Sequence, residues 1–225
     1  MAAIRGVELS KSYHHYQVLN SVSFEIGEGA CYALFGANGA GKTTLLRILA
    51  TLIRPSSGRF EMMGHDGVRE KEKVRECFFL ISHGSHLYDD LTVMENIQFA
   101  VGLRGLSPAE REIKAALDRV GIGAFFRLKS RFLSAGMKKR LSIAKAILIR
   151  PKALLLDEAY ASLDEKGVGM MNDLIREFNK GGSAVLITSH DRAKTAEVAH
   201  RAGVLRRGAL REMAVKDLLA ADALF

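Results

Sequence analysis

Gly36-Ala37-Asn38-Gly39-Ala40-Gly41-Lys42-Thr43 reads G-x-x-x-x-G-K-[ST], and its surroundings decide the fold. Ahead of it, Cys31-Tyr32-Ala33-Leu34-Phe35 is an uninterrupted apolar run between Gly29 and Gly36. Such a run suits a strand buried on both faces. Behind it, Leu45, Leu46, Ile48, Leu49 and Leu52 recur at helical spacing. Strand, glycine loop and helix start are the context that separates a true phosphate-binding P-loop from a chance match or a glycine-rich turn opening a structural helix.

The residue types fit that chemistry. Glycine lets the backbone curl until successive N–H groups point into one concavity. A helix N-terminus adds about half a positive charge, which favours phosphate. Lys42 is expected to reach the β- and γ-phosphates as a point charge, and the Thr43 hydroxyl to coordinate Mg²⁺. The predicted nucleotide-binding set is Gly36, Asn38, Gly39, Ala40, Gly41, Lys42, Thr43 and Thr44.

The chain has 225 residues, 48% hydrophobic and 26% charged, long enough for a proper core and unlike a disordered chain. Its net charge of +8 suits an acidic partner: nucleotide, nucleic acid or an anionic membrane face. Cys31 and Cys77 sit in apolar runs without metal-type spacing, as buried thiols do in a reducing compartment. Met1-Ala2-Ala3-Ile4-Arg5-Gly6-Val7-Glu8 lacks an apolar h-region, so no signal peptide is expected, and no stretch approaches a membrane span.

Val7 and Leu9, then Val22, Phe24 and Ile26, alternate with polar residues as half-buried strands of an antiparallel sheet do. Beyond the P-loop helix come a turn at Arg54-Pro55-Ser56-Ser57-Gly58, a short strand, a charged helix over 69–76 and a buried strand at Phe78-Phe79-Leu80-Ile81. Thr92-x-x-Glu95 and Ser107-Pro108-x-Glu110 read as capping boxes, the second with proline at N1, and predict a helical insert over 87–132. A long helix from Gly136 to Ile149 then stops at Arg150-Pro151. Ala153–Leu156 and Ala184–Ile187 read as core strands, with a helix capped by Asp164 between them. A weaker strand at Gly203-Val204-Leu205 leads to a short terminal helix. Alternating strands and helices predict an α/β fold with a mostly parallel sheet.

Leu154-Leu155-Leu156-Asp157-Glu158 is an apolar strand ending in two acids, and the tip of a parallel strand faces the nucleotide crevice. Asp157 suits Mg²⁺, and Glu158 suits deprotonating an attacking water. Leu133-Ser134-Ala135-Gly136-Met137 resembles the Leu-Ser-Gly-Gly-Gln signature of the ATP-binding cassette (ABC) ATPases and lies where that family carries it. Ser162-Leu163-Asp164 resembles the family's D-loop, and His190 in Thr188-Ser189-His190 resembles its switch histidine. Tyr13 resembles the aromatic residue on which the family stacks adenine, with Val18 nearby and Tyr16 as the alternative. Where the family has a glutamine that reaches Mg²⁺ and the attacking water, this chain has His83, whose neutral imidazole could accept in the same way. Met137 stands in place of the signature's final Gln and Ala135 in place of its first Gly; Ser134 and Gly136 keep the phosphate-contacting groups.

The resemblance covers essentially the whole chain. It implies one nucleotide-binding domain over 1–225, with the ATPase core and antiparallel β subdomain at about 1–86 and 151–225 and a helical subdomain at about 87–150. It also implies a head-to-tail dimer clamping two Mg-ATP, in which Ser134, Gly136 and Asp164 of one copy complete the site of its twin. One cassette in one chain implies integral membrane transporter subunits as separate partners and a peripheral place on the cytoplasmic face of the inner membrane. His83-Gly84 and Leu87-Tyr88-Asp89-Asp90-Leu91-Thr92 look most like the haem-exporter ATPase of cytochrome c maturation, with multidrug-type exporters close behind. The alternative is a non-transport ABC ATPase acting on nucleic acid or ribosomes, which the positive charge would suit. Those relatives carry coiled coils, zinc modules or paired cassettes, and this chain has no heptads, Cys clusters or second P-loop.

Overall fold

The computed structural model describes residues 2–82 and 87–218. Two long strands, β1 (Ala2–Tyr13) and β2 (Tyr16–Gly27), pair antiparallel around His14 and His15. Val22, Phe24 and Ile26 point inward while Ser23 and Glu25 meet solvent, as their alternation requires. The P-loop strand β3 (Cys31–Phe35) and helix α1 (Lys42–Leu49) follow, then β4 (Ser57–Met62), β5 (His65–Asp66), α2 (Lys71–Cys77) and β6 (Phe78–Ile81). Helices α3 (Val93–Gly102), α4 (Glu110–Arg119) and α5 (Ala135–Ile149) form the helical layer. The chain returns through β7 (Ala153–Leu156), α6 (Glu165–Lys180), β8 (Ala184–Thr188), α7 (Arg192–Ala196), β9 (Arg201–Arg206) and β10 (Ala209–Met213).

A small antiparallel sheet runs β2-β1-β4-β5, and a larger one runs β10-β9-β3-β8-β7-β6. The larger sheet is parallel from β9 to β6, with β10 added antiparallel at its edge. Its central strands separate two apolar layers. Cys31, Ala33 and Phe35 pack with the helical layer, whereas Tyr32 and Leu34 pack with α1 and the small sheet. Both faces are therefore covered, which explains why β3, β7 and β8 are apolar without alternation. Both cysteines are buried free thiols, and burial pushes the Cys31 thiol up to about 12. Among the described residues, no helix is long and apolar enough to cross a membrane.

Three boundaries differ from expectation. Helix α4 starts at Glu110 with Ala109 as its cap, so Ser107 and Pro108 lie outside it. The effective partner there is Glu112, whose carboxylate accepts from the Ala109 N–H at 2.7 Å. Helix α5 starts at Ala135, because Ser134 accepts from the Met137 N–H at 3.2 Å and so fixes the cap one residue before it. β9 does not lead directly into a helix: it turns at Arg207-Gly208 into β10, a strand concealed by the adjacent charges Arg211 and Glu212.

Asn96, fully buried in α3, organises the entry to the helical layer. Its Nδ2 donates to the Ser130 hydroxyl at 2.8 Å and to the Tyr88 carbonyl at 3.0 Å, and its Oδ1 accepts the Tyr88 N–H at 3.0 Å. The Thr92 cap and its box with Glu95 close the same turn. Asn96→Leu leaves those buried groups unpaired and is expected to destabilise the chain by about 2–3 kcal/mol. Urea unfolding checks this, and a change below about 0.5 kcal/mol would remove Asn96 from that role.

Candidate nucleotide-binding site

The site lies at the carboxyl ends of β3, β7 and β8. Strand β8 sits between the other two, so its last residue can reach across to the acids that end β7. Gly36 has φ 149°, and a β-carbon there would stand 2.5 Å from the Leu205 carbonyl oxygen, so only glycine fits. Gly41 (φ 108°) caps α1, and no side chain caps that helix. Its first-turn N–H groups therefore face the loop concavity rather than a protein acceptor. This is a ready anion site.

Lys42 is 6% exposed. Its Nζ donates to the carbonyls of Gly36 and Ala37 at 2.6 and 3.2 Å. Burial lowers its pKa, while Glu158 and Asp157 pull the other way. The Thr43 hydroxyl donates to Asp157 Oδ2 at 3.0 Å, and the buried Thr188 hydroxyl donates to Asp157 Oδ1 at 2.9 Å. The Glu158 N–H donates in turn to Thr188 Oγ1 at 2.9 Å. Glu158 Oε1 lies 3.1 Å from His190 Nε2. A hydroxyl beside a carboxylate is a hard-oxygen donor set, which fits Mg²⁺.

These groups line one cleft of about 790 Å³, whose walls include Val18, Thr44, Lys42, Asp157, Glu158 and His190. Asn38, Gly39, Ala40, Gly41 and Thr43 line it too. Ser134, Gly136 and Asp164 are not among its walls. Ser134 caps α5, and Asp164 caps α6 through the Gly167 N–H at 3.0 Å while pairing with Arg140 at 2.6 Å. Those bonds hold the Asp164 carboxyl below the usual range, the one from Gly167 most of all. Tyr13 stands outside this cleft, with Lys11 Nζ 5.0 Å from its ring centroid. Tyr16 lines an adjoining space of about 430 Å³ together with Val18, Asn38 and Arg207. His83 lies outside the described residues. Sequence reasoning missed the part of Thr188, whose only signal is a hydroxyl ending the apolar run Ala184–Ile187.

A family model described as ABC transporter matches residues 19–161, well over half of the chain. The chain belongs to the ABC transporter family. The cassette is 36% identical over 202 residues to YxlF, an uncharacterized ABC transporter ATP-binding protein of Bacillus subtilis (strain 168), covering 89% of this chain and 66% of that protein. It is 32% identical to the daunorubicin resistance ATP-binding protein DrrA3 of Streptomyces coeruleorubidus, covering 94% and 68%. The cassette thus spans about two thirds of the length of these curated relatives. A solved ATP-binding subunit of an ABC transporter superposes with a TM-score of 0.90 at 27% identity, covering 96% of this chain and 91% of that one. The family is one of ATPases, and the α/β fold with its mostly parallel sheet is the cassette's.

Proposed function

We propose that this chain is the ATP-binding and ATP-hydrolysing subunit of an ABC transporter. Two copies close head to tail on two Mg-ATP and move separate integral membrane subunits from the cytoplasmic face of the inner membrane. The observation that carries the reading is a division of labour. Lys42, Thr43, Asp157, Glu158 and His190 converge on one cleft, while Ser134 sits apart at the N-terminus of α5. A signature that does not line its own cleft is free to serve a twin's.

In this reading the Lys42 ammonium and the first N–H groups of α1 hold the β- and γ-phosphates. Thr43 and Asp157 would hold Mg²⁺, which would supply neutralising charge to the phosphate oxygens when bound. Glu158 takes the proton of the attacking water, and His190 orients its carboxylate from 3.1 Å. Ser134 and the N-terminal dipole of α5 close on the twin's γ-phosphate, so hydrolysis depends on assembly. Tyr13 or Tyr16 stacks the adenine.

Affinity purification of the full chain from detergent-solubilised membranes tests the reading. The expected result is a multi-span membrane protein that co-purifies and raises the ATPase rate when the pair is reconstituted. Retention on RNA or DNA that falls steeply with salt, with no such partner, would instead favour the nucleic-acid alternative suggested by the net charge of +8.

A further inference from the structure

Lys139 is 7% exposed, and the mechanism above gives it no part. It sits in the second turn of α5, five residues past the Ser134 cap, and reaches from the helical layer to the tip of β7. There its Nζ donates to the main-chain carbonyl of Glu158. The same oxygen accepts the Ala161 N–H at 3.1 Å, and the Glu158 N–H is held by Thr188 at 2.9 Å.

Glu158 needs such restraint. Its φ of 50° is left-handed, a conformation that persists in a residue with a β-carbon only where the surroundings over-determine it. One of its restraints comes from α5, and α5 touches this segment twice more. A β-carbon on Gly136 would stand 2.6 Å from the Ser162 carbonyl oxygen, and Arg140 pairs with Asp164 at 2.6 Å. The helix that carries Ser134 at its start therefore also grips the backbone of the acid proposed to activate water.

We propose that Lys139 is a positioning residue for hydrolysis, which fixes the main chain of Glu158 and ties it to the Ser134-capped end of α5. The inference rests on the ATPase reading above. Closure of Ser134 on the twin's nucleotide is thereby felt at this chain's own Glu158. Burial supports a role other than stability: it pushes the Lys139 ammonium down to about 8 against the pull of Glu158 and Asp157. A methionine of similar length would fill the same space without that cost.

The test compares Lys139→Met and Glu158→Gln with the wild-type full chain. Melting temperature, steady-state kcat and KM for Mg-ATP, and amide hydrogen exchange are measured. Lys139→Met is expected to melt no lower than wild type, keep KM within about threefold and lose kcat by about tenfold or more. Exchange at Ala161 N–H should rise about tenfold while the amides of α5 stay protected. That last arm reads out without any turnover. A kcat within about twofold of wild type beside an inactive Glu158→Gln overturns the positioning role alone. So does a loss of kcat matched by lower melting and faster exchange throughout α5. Wild-type turnover in Glu158→Gln removes Glu158 as the acid that activates water, and the role of Lys139 goes with it; absence of Mg-ATP turnover in the wild-type chain overturns the ATPase reading.

Discussion

Glu158→Gln is expected to lower kcat by about 10²–10⁴-fold while Mg-ATP still binds, so that an ATP-dependent dimer accumulates. Glutamine has the shape of glutamate and keeps an oxygen toward His190, which stands 3.1 Å from the present carboxylate. It cannot take a proton from water. The main-chain hold on residue 158 through Thr188 is indifferent to the side chain, so the backbone should not shift. Lys42, Thr43 and Asp157 are untouched and continue to hold the triphosphate. Light scattering with and without Mg-ATP gives the answer: a variant that stays monomeric with ATP refutes the head-to-tail assembly.

The second large effect is expected from Lys42→Ala. The ammonium is nearly buried and already spends its protons on the carbonyls of Gly36 and Ala37. Burial disfavours its charge, so its removal relieves a cost as well as losing two hydrogen bonds, and the melting temperature should move little. Phosphate binding has no such compensation. Losing a largely desolvated charge pair costs about 3 kcal/mol, which is about 100-fold or more in affinity. Calorimetric titration with Mg-ATP measures it, and affinity kept within about threefold would show that the loop amides suffice.

How much of this was legible depends on where each determinant lies. The P-loop, Asp157-Glu158 and the core strands are short contiguous runs, so their chemistry and burial are written in neighbouring residues. The alternation of β1 and β2 and the Thr92 cap are local in the same sense. Thr188, Lys139 and Asn96 are not. Each acts on a residue 30, 19 or 34 positions away, and nothing beside it in the sequence declares the partner. β10 was missed because an edge strand with one exposed face need not look apolar. Choosing between Tyr13 and Tyr16 likewise depends on which tyrosine the hairpin turns toward the P-loop.

Strand β8 separates β3 from β7, so the strands that carry the phosphate loop and the paired acids run two inter-strand steps apart, roughly 10 Å, and the Thr43 and Asp157 side chains bridge the gap. A sheet buried on both faces is a stiff ruler. The β-ladder beneath therefore holds that span constant.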